Sequence, residues 1–112
     1  MTAESLDRLC KAFKGTTVDV KWGNDLCYLI GNKMYCVTKM DGPLQISFKA
    51  TPEDFAELIE RDGIIPAPYS ARYHWVLVET QNALRANEWK SYIEKSFHLV
   101  FEKLPKKVRR SL

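Results

Sequence analysis

The chain has 112 residues, 28% of them charged and 46% hydrophobic, with a formal net charge of +3. A chain of this size is one domain that can bury a core without a metal or disulfide staple, and its composition excludes disorder. No apolar run approaches the roughly 18 residues of a membrane helix, and Met1-Thr2-Ala3-Glu4 is followed by no signal-like apolar stretch, so no membrane partner is expected and the cytoplasm is the expected compartment.

Residues 3–14 read as a helix, with Leu6, Leu9, Cys10 and Phe13 at i, i+3, i+4 and i+7 on one face. Thr2 is its N-cap and Gly15 its stop. Thr16 to Trp22 alternates and is rich in β-branched residues, as a strand is, and Gly23-Asn24-Asp25 is turn chemistry. Leu26–Ile30 and Lys33–Thr38 form a hairpin closed by Gly31-Asn32. A two-residue loop sets Ile30 opposite Lys33, Leu29 opposite Met34, Tyr28 opposite Tyr35 and Cys27 opposite Cys36. One face then carries Leu29, Met34 and both cysteines, and the other Tyr28, Ile30, Tyr35 and Val37.

Past the turn Asp41-Gly42-Pro43, Leu44, Ile46 and Phe48 alternate with polar residues in a half-buried strand. Thr51-Pro52-Glu53-Asp54 starts a helix with an N-cap, a first-position proline and acids in the first turn. Phe55, Leu58 and Ile59 form its apolar stripe, and it ends near Asp62-Gly63. In Ile64-Ile65-Pro66-Ala67-Pro68-Tyr69, two prolines fix φ and push their predecessors to extended geometry, which makes a stiff, non-helical connector. It leads into a strand from Tyr73 to Glu79. Asn87 caps the final helix, where Trp89, Tyr92, Ile93, Phe97, Val100, Phe101 and Leu104 follow the 3.6 period, and Pro105 ends it. The order α-β-β-β-β-α-β-α predicts an antiparallel sheet of four to five strands with helices on one face, a two-layer α+β sandwich.

Charge is unevenly divided. Residues 1–50 carry 7 basic and 5 acidic side chains, residues 51–102 carry 5 and 9, and residues 103–112 carry 5 and none. The body is slightly acidic, and the positive excess belongs to a basic C-terminal tail, 105–112 with Lys103 before it. A generally basic surface, the footprint of nucleic-acid binding, is absent, so only a local patch can be argued.

The turn Gly31-Asn32-Lys33-Met34-Tyr35, the Pro66-Ala67-Pro68-Tyr69 connector, His74-Trp75, Trp22-Gly23 and the ending Leu104-Pro105-Lys106-Lys107 together resemble the MmcQ/YjbR family of small bacterial proteins, over nearly the whole chain and in order. The resemblance implies a compact α+β fold of the secretion-chaperone type, similar also to the bacterial frataxin homologue, and the family's label of a DNA-binding protein with a double-wing motif. Family members often carry an Asn-Lys pair before the His-Trp step. Here Ser70-Ala71-Arg72-Tyr73 stands there, and Arg72 keeps a positive charge.

Each candidate has a functional and a structural reading. Lys103, Lys106, Lys107, Arg109 and Arg110 could neutralise phosphates or oppose the last helix's dipole as a solvated end. Lys33, Lys39, Lys49 and Arg72 sit where a wing would touch a DNA backbone, or where lysines guard sheet edges. Tyr28 and Tyr35 could stack on bases or pack across strands. Cys27 and Cys36 face each other closely enough for a strained cross-strand disulfide, or are two small buried hydrophobes. Pro66, Pro68, Tyr69, His74 and Trp75 form a structural connector, and Trp22, Trp75 and Trp89 are core anchors. His74 and His98 lack metal-ligand spacing, no serine or cysteine nucleophile is placed beside them, and no phosphate-binding glycine loop occurs. The expected protein is therefore not an enzyme and uses no metal or cofactor. It is expected to bind DNA weakly and without sequence preference, or alternatively to be a protein-interaction or chaperone-like module that pairs a sheet edge with another protein or a second copy.

Overall fold

The computed structural model describes residues 1–112. In chain order its elements are α1 (Ala3–Lys11), β1 (Thr17–Lys21), β2 (Asp25–Ile30), β3 (Lys33–Lys39), β4 (Ile46–Lys49), α2 (Pro52–Leu58), β5 (Ile64–Pro66), β6 (Trp75–Val78), α3 (Ala86–Phe101) and α4 (Lys106–Arg110). Short 3₁₀ turns at Ala71–Tyr73 and Gln81–Ala83 flank β6. The six strands form one antiparallel sheet in the order β1-β2-β3-β4-β6-β5.

Local chemistry sets most boundaries. Thr2 Oγ1 accepts from the Ser5 N–H at 3.0 Å and Thr51 Oγ1 from the Asp54 N–H at 3.1 Å, which caps α1 and α2. The cap of α3 is Arg85, not Asn87. Its N–H donates to Glu88 Oε1 at 3.0 Å, and that carboxylate also holds the Arg61 guanidinium. α1 and α2 are shorter than their apolar spacing predicts, ending at Lys11 and Leu58.

The sheet has one strand more than the four to five expected. The extra strand is β5, the first half of the proline connector, with Ile64 opposite Val78 and Pro66 opposite Val76. Pro66 is tolerated because β5 is an edge strand, where a missing donor interrupts no ladder. The strand predicted from Tyr73 begins at Trp75. Tyr73 closes a 3₁₀ turn, and His74 follows with a left-handed φ of 66°.

The hairpin register is the sharpest correction. Gly31 and Asn32 take φ of 57° and 66°, as a tight two-residue turn requires, and Ile30↔Lys33 and Leu29↔Met34 pair as expected. A bulge then intervenes, so Tyr28 faces Cys36 and Cys27 faces Val37. The extra residue shifts the later side chains of β3 by one face. Cys36 joins the core with Tyr28, Ile30 and Tyr35, while Val37 moves to the opposite face beside Cys27. Cys27 and Cys36 are therefore not a cross-strand pair, and no disulfide is present.

One face of the sheet builds the core. Tyr28, Cys36, Phe48, Ile46, Val76, Val78 and Ile64 pack with Leu6 and Cys10 of α1, Leu58 of α2, and Trp89, Ile93 and Phe97 of α3. The other face presents the row Asp19, Cys27, Val37, Ser47, Leu77 and Ile65 across all six strands. None of these six belongs to the helix-packed core cluster.

Candidate functional site

The face away from the core contains a groove of about 1000 Å³. It originates where β3 and β4 separate. Their ladder stops at Cys36↔Phe48, and the next backbone groups, Tyr35 C=O and Lys49 N–H, do not meet. Ser96 of α3 fills the gap. Its Oγ accepts from Lys49 N–H at 2.9 Å and donates to Tyr35 C=O at 2.6 Å, which satisfies both buried groups. Beside this gap Leu99 and Val100 of the C-terminal part of α3, and Lys103 in the turn after it, join Lys33 and Met34 of β3 and Lys49 of β4 in the groove wall.

The other wall comes from the connector and β6. Ala67, Pro68, Tyr69 and Ser70 line it with Tyr73 and Trp75, and Trp22 and Asp25 line the groove as well. Trp22 is 72% exposed and Tyr69 fully exposed. The charged lining is three lysines, Lys33, Lys49 and Lys103, against one carboxylate, Asp25.

Lys49 is the most constrained of these cations. Its ammonium donates to Tyr73 C=O at 3.1 Å and lies 5.9 Å from the centre of the Tyr73 ring, with the Arg72 guanidinium 4.9 Å from the same ring. The protein's ion pairs are Lys11–Asp7, Arg61–Glu88 and Lys95–Asp54, so Lys49 has no carboxylate partner. Burial, and then the charge of Lys103, hold its ammonium below the ordinary lysine value.

The sequence candidates divide accordingly. Lys33, Lys103, Pro68, Tyr69 and Trp75 meet in the groove, with Arg72 beside it on Tyr73. Pro66 belongs to the β5 edge. Lys39 pairs with Asp25 across β2 and β3. His74 serves packing: its C=O accepts from Ala50 N–H at 2.9 Å and its ring meets Phe55 edge-on. The basic tail is the helix α4, held to the hairpin by Leu104 and Val108 against Gly31. Lys106, Lys107 and Arg110 are exposed there. Arg109 instead lines a separate cavity of about 360 Å³ with Phe13 and Phe97, and its Nε is buried without an acceptor.

Two candidates are corrected outright. Tyr28 and Tyr35 are 1% and 0% exposed, so neither can stack on a base. The Tyr28 hydroxyl donates to Asp7 Oδ1 at 2.9 Å, and that of Tyr35 donates to Cys10 C=O at 3.2 Å and shares a hydrogen bond with Thr16. Burial pushes both phenols well up. Burial likewise raises the Cys27 and Cys36 thiols, which leaves neither activated. Trp22 is exposed on the groove, and among the tryptophans Trp89 is the fully buried anchor, its Nε1 donating to Gln81 C=O. Trp22 and Tyr73 are groove residues that sequence reasoning missed. Trp22 stands directly before a Gly-Asn-Asp turn, a position that holds a ring at the sheet's end and not in its interior.

The fold and this groove define a small α+β protein with an open, basic and aromatic sheet face. The chain belongs to the YjbR family, whose model matches residues 11–99. It superposes on the crystal structure of Deinococcus radiodurans protein DR2400, a DUF419 domain, with a TM-score of 0.88 and 24% identity, covering 98% of this chain and 86% of that one. A crystal structure of a protein from Pseudomonas syringae aligns with a TM-score of 0.72 and 25% identity, over 89% of this chain and 99% of the other. These likenesses establish the α+β architecture with its antiparallel sheet. No curated protein matches the chain. No helix is long and apolar enough to cross a membrane.

Proposed function

We infer that this protein is a non-enzymatic DNA-binding protein, weak and largely indifferent to sequence, whose contact surface is the groove on the sheet face away from the core. One observation carries the reading: three lysines and four aromatic side chains, Trp22, Tyr69, Tyr73 and Trp75, share a single groove with one carboxylate. Cations that track a backbone and rings that accept stacked bases are the two components of a single-strand surface. Because stacking faces are common to all four bases, such a surface discriminates little by sequence. A duplex hides its base faces, so the single-stranded form suits exposed rings better than the double-stranded form.

The test is fluorescence anisotropy of a labelled oligothymidylate and of a duplex of equal length, across a salt series. The strand should bind more tightly than the duplex, with a log–log salt slope of about −2 for three neutralised phosphates. Trp22 and Trp75 emission should change on binding while buried Trp89 reports nothing. A flat salt response with unchanged tryptophan emission removes this reading.

The β1 edge favours a second reading. Its burial pattern is exposed through Thr17–Val20, with Val18 and Val20 at a free strand edge. Such an edge can pair with an extended segment or a second copy. Sedimentation showing a strict monomer at all concentrations counts against self-pairing.

A further inference from the structure

We propose that Lys49 and Lys103 form a seat for one doubly charged phosphate, so that the groove takes a nucleoside monophosphate unit, supplied either as a free mononucleotide or as the phosphorylated end of a strand. This rests on the nucleic-acid reading of the groove and specifies what its deepest cation binds. Lys49 leaves β4 at the point where Ser96 holds the strands apart, and its stem is half-buried. Its ammonium is anchored by the Tyr73 carbonyl. It faces no carboxylate within ion-pair distance, and the neighbouring charge acting on it is that of Lys103.

Half-buried Lys49 and exposed Lys103 line the same groove, and their like charges are unfavourable together until an anion lies between them. A backbone diester brings one negative charge. A terminal phosphate brings about −1.5 to −2 at neutral pH and three strong acceptor oxygens, which matches two lysines. Tyr73 and Trp75 stand in the same groove as partners for the attached base. Asp25, the one opposing carboxylate of the lining, sits at the start of β2, next to the Trp22 turn and pairing with Lys39, away from the Lys33 end of the hairpin.

The experiment compares an oligothymidylate carrying a 5′-phosphate with the same strand lacking it, each labelled at its 3′ end, by anisotropy. Thymidine monophosphate and inorganic phosphate serve as competitors. The wild-type protein should bind the phosphorylated strand about tenfold more tightly, as one additional charge-assisted contact implies. Lys49→Met and Lys103→Gln should each abolish that preference, whereas Lys33→Gln, at a groove lysine outside the seat, should weaken both strands alike and leave the preference intact. Lys103 is exposed near the end of α3, so Lys103→Gln keeps the test intact should Lys49→Met fail to fold.

Competition by thymidine monophosphate as strong as by the phosphorylated strand supports a free nucleotide as the source. Weaker competition supports a strand end, and inorganic phosphate should compete weakly in either case. Equal affinity of the wild type for the two strands overturns the seat and leaves the groove reading standing. If neither strand nor mononucleotide binds, both are overturned together.

Discussion

At the scale of single residues, Ser96 has an influence its size conceals. It is fully buried on α3 and holds two backbone groups of two different strands. Ser96→Ala would leave a buried N–H and a buried C=O unpaired, at a cost of about 2 kcal/mol, whereas Ser91→Ala on the exposed side of the same helix should change stability by less than about 0.5 kcal/mol. Denaturant unfolding of the two variants checks this. Equal midpoints would show that β3 and β4 close the gap without the hydroxyl. Nothing in the sequence marked Ser96, because a serine in a helix is ordinarily a neutral surface residue and its partners lie 47 and 61 positions away. Lys49 was legible as a strand cation, but its lack of a carboxylate partner is a property of the assembled sheet. The tyrosines were misread for a related reason: alternation grouped Tyr28 and Tyr35 on one face correctly, yet could not say that α1 covers that face with Asp7 and the Cys10 carbonyl waiting for their hydroxyls.

Among the elements, the β2–β3 turn and α4 act as one unit. Gly31 sits at φ 57°, and a Cβ there would come within 2.7 Å of Leu104 Cδ1 and 3.1 Å of Val108 Cγ1. Gly31→Ala thus adds a clash to the left-handed strain and should destabilise by roughly 2–4 kcal/mol, against roughly 1–2 kcal/mol for Gly42→Ala, which has the same sign of φ but open space around it. Limited proteolysis should also cut before α4 sooner in Gly31→Ala than in Gly42→Ala, and identical cleavage would show that α4 does not depend on the turn. Most elements were readable because their signals are local: a capping threonine, a proline at a first helical position, a Gly-Asn turn. The bulge was not, since a two-residue turn fixes only the first pairs, and the break after Leu29↔Met34 falls at Tyr35, whose carbonyl takes the hydroxyl of distant Ser96. β5 was read as a connector because three residues with a proline carry no strand signal until β6 lies beside them. The groove followed from neither local signal, for its walls come from β3, β4, β6, the connector and α3 together.

Over the whole molecule, the ion pairs Lys11–Asp7, Arg61–Glu88 and Lys95–Asp54 each involve a helix, α1 or α3, while the groove lysines Lys33, Lys49 and Lys103 are in none of them. Ion pairing at the helices therefore governs the acid limb of stability. Hydrogen bonding to Arg61, then the Arg85 N–H, holds Glu88 down to about 2 from its ordinary 4.5. Lys11 and then Tyr28 lower Asp7 in the same direction. A carboxylate whose folded value lies below its unfolded one stabilises the protein fully above the unfolded value, and that contribution is lost as pH falls through the folded one. Stability should accordingly be level above about pH 5 and decline between about pH 4.5 and pH 2. Glu88→Gln should lower the plateau, because Arg61 loses its ionic partner, and should flatten the decline, because the variant has no such proton to take up. Thermal unfolding from pH 7 to pH 2 reads both effects. A variant whose acid limb stays as steep as the wild type's would show that Glu88 does not set it.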